Sequence, residues 1–248
     1  MPRFAAAALA NGAGLSEQEE PLSTDFTDQA LEVLSQLYGE PGRRRRWDLT
    51  YDTFSILAHE LVDRLTFGVP RPHTAVLRED APYLALHTLN AAVFAVEAGR
   101  LAGYGNRLFD LGMASMLHDL GMLALPRDAR ESAGPLSEEH LRLVHLHPEA
   151  SLKRIEGWSL VSAFTKIAIL QHHERCDGSG YPAGKGEADI HPLAKLMGAA
   201  DVLSALLLDR PYRARLEPSL ATAALRGMAG KGLDPAATDF VGRSLLAD

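Results

Sequence analysis

Apolar residues along this chain recur at the three- and four-residue spacing of helices, and strand-like alternation is absent. Ala30, Leu31, Val33, Leu34 and Leu37 form the stripe of a first helix ending near Tyr38, with Thr24-Asp25 placed to cap it. A second helix is expected over about Tyr51 to Phe67. His59-Glu60 lies inside it and reads as a surface or half-buried pair. Gly68 to His73, with Pro70 and Pro72, closes this unit. Residues 1–75 are therefore assigned to an N-terminal helical extension and 76–248 to the main domain. In the main domain the pattern predicts helices over Tyr83–Ala102, stopped by Gly103 and Gly105, and over Arg107–Leu120. Ser137 caps a helix reaching His145-Leu146-His147, and Pro148 starts the next, to about Ile155. Helices over Trp158–Glu174, Leu193–Leu208, Pro218–Met228 and Pro235–Leu246 follow. The fold class is all-α.

Composition narrows the function without naming it. The formal net charge of -7 argues against a nucleic-acid polymer as partner, though a local cationic pocket for a phosphorylated small molecule remains open. The run Arg43 to Arg46 reads as a solvated linker in so acidic a chain. The single cysteine, Cys176, excludes a disulfide framework within one chain and fits a cytoplasmic setting. No apolar run reaches the ~20 residues of a membrane span, and residues 4–10 read as a frayed helix end.

The chemistry lies in polar residues placed among apolar helical positions: His87, His118, Asp119, His147, His172, His173 and Asp201. A lone histidine on an apolar face is more often a satisfied core residue than a ligand. Seven such groups are harder to bury separately, because each unpartnered polar group costs several kcal/mol on transfer scales. A shared metal cluster satisfies them together. Without cysteine in the set, a structural zinc site is disfavoured. Mixed His and Asp ligation, more than one ion can use, points to two divalent ions. Iron, manganese, zinc and nickel are compatible. Two ions ~4 Å apart acidify a bridging water and clamp phosphoryl oxygens, which points to phosphate-ester hydrolysis. Arg210, beyond Asp201, is either a cation for that phosphate or a helix-end cation favouring the dipole.

These motifs, in this order, resemble the HD-GYP family of metal-dependent phosphohydrolases. The resemblance rests on His118-Asp119-Leu120-Gly121, His147-Pro148, the run from His172 to Pro182 with Gly180-Tyr181-Pro182, Ala200-Asp201, and Arg210-Pro211-Tyr212-Arg213. It implies a helical bundle and cyclic di-GMP phosphodiesterase activity in bacterial signalling, acting through a metal-bridging hydroxide. By matching position, His87, His118, Asp119 and Asp201 would hold one ion. Asp119, His147, His172 and His173 would hold the other, with Asp119 bridging and catalytic. The resemblance also implies docking of diguanylate cyclase or other signalling domains through the Gly-Tyr-Pro loop, and homodimerisation. Glu174, Asp177, Gly178, Gly180, Tyr181 and Pro182 are expected to order that loop and the imidazoles.

Three positions depart from the family pattern. Met122 stands where a lysine usually helps to hold substrate phosphate, so Arg210 or Lys185 would have to compensate. Tyr83 stands where the trinuclear subgroup has a glutamate, and Ser204 where a second aspartate follows Ala-Asp, so two ions are expected rather than three. Two alternatives follow: a catalytically weak or inactive module that binds metal and docks partners, and an HD phosphohydrolase for another nucleotide.

Overall fold

The computed structural model describes residues 26–38, 50–67, 81–130, 134–210 and 213–245. Thr24-Asp25, the Arg43–Arg46 run, residues 4–10 and the boundary near residue 75 lie outside them. The described residues are helical without strands, as the all-α pattern requires. No helix among them is long and apolar enough to cross a membrane.

The bundle is built around α3, Tyr83–Leu101, which is buried continuously from Ala85 to Gly99. A helix that is apolar all round has no solvent face to present, so it takes the centre. Around it pack α4 (Leu108–Leu117), α9 (Pro192–Leu207), α11 (Pro235–Ser244) and α1 (Phe26–Tyr38). Helix α2 (Tyr51–Phe67) lies on α4. Leu31 and Leu34 of α1, and Leu57 and Leu61 of α2, join the same buried cluster as Leu89, Phe94, Leu111 and Leu203. The N-terminal helices thus share a core with the rest. Phe94 is almost fully enclosed. Phe94→Ala is expected to cost about 3–5 kcal/mol, seen as a lower denaturant midpoint at unchanged slope.

Two helices differ from their expected bounds, each for a local reason. The helix expected over Arg107–Leu120 stops at Leu117, and the chain tightens into a 3-10 stretch, His118–Ala124. Ser151, on α7 (His147–Arg154), bonds that turn at its first residue and at its middle. Its hydroxyl donates to the His118 carbonyl and accepts from the Gly121 N–H at 2.8 Å. Gly121 lies so close to α7 that a Cβ would collide with the His147 carbonyl. The helix expected from Trp158 instead begins at Ala163, as α8 (Ala163–Gln171). Ser162 caps it, its hydroxyl oxygen accepting from the Thr165 N–H at 3.0 Å. Trp158 is left to pack on the rings of Tyr51 and Phe54 of α2. A short helix absent from the sequence pattern, α5 (Arg127–Arg130), follows Pro126. Helix α6 (Glu138–His145) carries the expected Ser137 cap, and α10 (Pro218–Gly227) sits beside α9 and α11.

Candidate metal centre

Five imidazoles and two carboxylates converge from α3, the 118–124 turn, α7, the end of α8 and α9. Most are buried to within a few per cent of full enclosure. Two subsets stand out, His87-His118-Asp119 and His147-His172-His173, with ligand atoms in each within 4.8 Å of one another. Asp119 belongs to both sides. Its Oδ2 lies 3.5 Å from His118 Nε2 and 3.8 Å from His87 Nε2, while its Oδ1 lies 3.4 Å from His147 Nε2. Asp201 Oδ1 completes the first side, 2.9 Å from His87 Nε2 and 3.5 Å from His118 Nε2.

The backbone fixes which nitrogen each ring presents. His118, His147 and His172 place Nδ1 2.6 Å from the carbonyls of Ser115, Val144 and Ile169, each three residues earlier. A carbonyl only accepts, so Nδ1 carries the hydrogen and Nε2 is turned to the centre. Ser204 does the same for His87. Its hydroxyl donates to the His87 carbonyl and accepts from Nδ1, both at 2.9 Å. Thus the serine standing at the expected aspartate position is an orienting group. It lies three residues after Asp201 on α9, on the same helical face.

This arrangement calls for cations. His147 Nε2 and His172 Nε2 face each other at 3.3 Å, and with Nδ1 protonated both carry lone pairs. Such a pair repels unless a proton or cation stands between. His118 Nε2 is buried without a hydrogen-bond partner, a cost of ~1–3 kcal/mol when nothing compensates. Imidazole and carboxylate donors together suit a divalent transition metal. Electrostatics agree. Burial opposes charge on His118, but the Asp119 and Asp201 carboxylates outweigh it and lift its pKa to about 9. Burial holds His172 and His173 well below the usual histidine range. For Asp201, burial is overcome by the adjacent His118 and His87 imidazoles, leaving its carboxyl well below the usual carboxylate range.

The loop after His173 is stitched from below. The buried Glu174 carboxylate accepts from the N–H groups of Ala183 and Lys185, both at 2.8 Å. Asp177 Oδ1 accepts from the backbone and hydroxyl of Ser179 at 3.0 and 2.6 Å. Gly178 adopts φ 79°, open to glycine at little cost. Gly180 is pressed on His173, Glu174 and Arg175 so closely that a Cβ has no room. Tyr181 precedes Pro182 and is sandwiched between His173 and His145, with ring centroids 4.6 and 4.1 Å away. The His145 contact was invisible in the sequence, since it joins α6 to a loop more than thirty residues on.

A cavity of about 750 Å³ opens over the centre, lined by His87, Asp119, His147, His173 and Asp201 on its polar side. Arg210 and Met122 line it; Lys185 does not, and its backbone is engaged by Glu174 instead. Tyr83 stacks on His87 with rings 7° from parallel and accepts a 2.9 Å hydrogen bond from Arg210 Nε. Tyr83 thus presents an aromatic wall to the cavity.

The HD domain family model matches residues 78–237. The chain belongs to the HD domain family. His118-Asp119 and Gly180-Tyr181-Pro182 mark its HD-GYP branch. Among relatives, it is 31% identical over 162 residues to the cyclic di-GMP phosphodiesterase PA4108 of Pseudomonas aeruginosa, covering 63% of this chain and 39% of that protein. It is 30% identical over 156 residues to the 3'3'-cGAMP-specific phosphodiesterase 3 of Vibrio cholerae, covering 62% of this chain and 34% of that one. The chain thus spans well under half the length of either. The HD domain fold also appears in Bd1817, an HDG"Y"P protein from Bdellovibrio bacteriovorus, with TM-score 0.67 at 16% identity over 92% of this chain and 75% of that one.

Proposed function

We propose that this HD domain is a phosphodiesterase of the cytoplasm that hydrolyses cyclic di-GMP with two divalent ions. The observation that carries the reading is Asp119, whose two oxygens face separate histidine sets. His87, His118, Asp119 and Asp201 would hold one ion, and Asp119, His147, His172 and His173 the other. When bound, the pair supplies an acidified water and charge neutralisation at the phosphoryl oxygens. Iron or manganese is favoured, with zinc and nickel compatible with the donors. The protein's own part is orientation. Ser204 and three backbone carbonyls set the rings, Glu174 fixes the loop behind His173, and the Tyr83–Arg210 pair forms a wall of the substrate cavity.

The test is hydrolysis of cyclic di-GMP and 3'3'-cGAMP by anaerobically purified protein, with metal content measured on the same sample. Turnover of cyclic di-GMP with about two ions per chain is the expected result. Two ions and no turnover of either nucleotide would favour the second reading, a metal-binding module that docks diguanylate cyclase domains or a second copy through the Gly-Tyr-Pro loop. Met122, which puts a thioether where a cation is usual, is the observation behind that reading.

A further inference from the structure

A site that receives phosphates needs cationic side chains to hold them besides any ions it binds. Among the described residues two arginines line the cavity, Arg210 and Arg130. Arg210 is partly committed, since its Nε donates to the Tyr83 hydroxyl at 2.9 Å and its guanidinium lies 5.3 Å over that ring. Arg130, at the end of α5, is different. Its Nε is buried and meets no hydrogen-bond partner. A guanidinium N–H withdrawn from water without an acceptor is an unfavourable arrangement, and an anion entering the cavity would relieve it. Met122 lines the same cavity and brings no charge.

We propose that Arg130 binds a phosphodiester of the substrate, taking over from a different element the charge that position 122 lacks. The proposal rests on the phosphodiesterase reading above. Guanidinium suits the task, because its planar fork matches two phosphoryl oxygens and it stays charged at every working pH. It also explains how a methionine is tolerated in the cavity lining: the cation arrives from α5 rather than from the turn that carries Asp119. Sequence spacing alone could not suggest this, since α5 itself was not foreseen.

A cation that grips substrate and transition state alike changes KM and leaves kcat nearly unmoved. Arg130→Gln in the metal-loaded protein is therefore expected to raise KM for cyclic di-GMP about tenfold or more, the scale of a lost charged hydrogen bond. kcat should stay within about threefold, metal content should be unchanged, and the rise of KM with added NaCl should become shallower. Placing Met122→Lys in the Arg130→Gln background should bring KM back toward wild type, which a merely structural arginine would not allow. An unchanged KM in Arg130→Gln at equal metal content overturns the proposal. So does a KM rise that comes with a lowered melting temperature and no rescue by Met122→Lys. If the wild-type protein holds its ions yet turns over no cyclic dinucleotide, it is the phosphodiesterase reading that fails. Calorimetry with cyclic di-GMP then decides on Arg130 alone: weaker binding by Arg130→Gln supports it, and equal or absent binding overturns it.

Discussion

Asp119→Asn is expected to abolish stoichiometric loading of both candidate sites while the fold survives. The substitution keeps the side-chain volume and removes the charge shared between the two histidine sets, since Oδ2 faces His118 and His87 and Oδ1 faces His147. Turnover should fall by roughly 10²–10³-fold or more, the scale for losing a group that stabilises transition-state charge. Ser204→Ala is the informative contrast. It leaves every donor in place and frees only the His87 ring, whose Nδ1 loses its 2.9 Å partner. Its expected cost is about 10–100-fold in metal affinity, typical of groups that orient ligands. Metal analysis after gel filtration, with hydrolysis rates on the same fractions, separates the two. Full loading and near-normal rates in Asp119→Asn would remove the basis for a shared carboxylate.

Much of this site was legible because its chemistry conflicts with its surroundings. Histidine and aspartate at apolar helical positions stand out, and seven of them did so together. The fold followed from periodicity, most clearly for α3, whose apolar run leaves no polar face. What escaped depends on tertiary pairing. Ser151 and Ser204 look like ordinary small helical residues until the backbone groups they bond are known. Helix α8 starts late because Ser162 caps it and Trp158 is drawn to Tyr51 and Phe54, more than a hundred residues earlier. The 3-10 turn at His118 answers to Gly121 meeting α7, again a contact between distant segments. Lys185 looked like a phosphate ligand by charge alone, whereas Glu174 binds its backbone and the residue stays off the cavity wall. Met122 was readable as a missing charge, but the Arg130 that lines the same cavity was not.

Metal removal is expected to leave a protein whose stability has a maximum near neutral pH, and metal loading should release a proton. In the metal-free protein the His118 pKa is raised from 6.5 to about 9. Its contribution is fully present below pH 6.5 and fades as pH rises through about 9. His172 and His173 shift the other way, buried as neutral rings with pKa values well below 6.5. Unfolding lets them take up protons, so stability falls as pH drops below about 6.5. The opposing slopes meet near pH 6.5. Ligation needs His118 unprotonated at Nε2, so between pH 6.5 and about 9 one proton must leave as its ion binds. Apparent affinity should then climb about tenfold per pH unit in that window and level off above it. Binding at a thousand times the dissociation constant adds about 4 kcal/mol to the folded state, so the melting temperature should rise by several degrees on loading and fall back with chelator. Calorimetric titration of manganese at pH 7.5, in buffers of different ionisation enthalpy, counts the protons directly. A count near one places the charge on His118, and a count near zero shows that Asp119 and Asp201 do not hold it there.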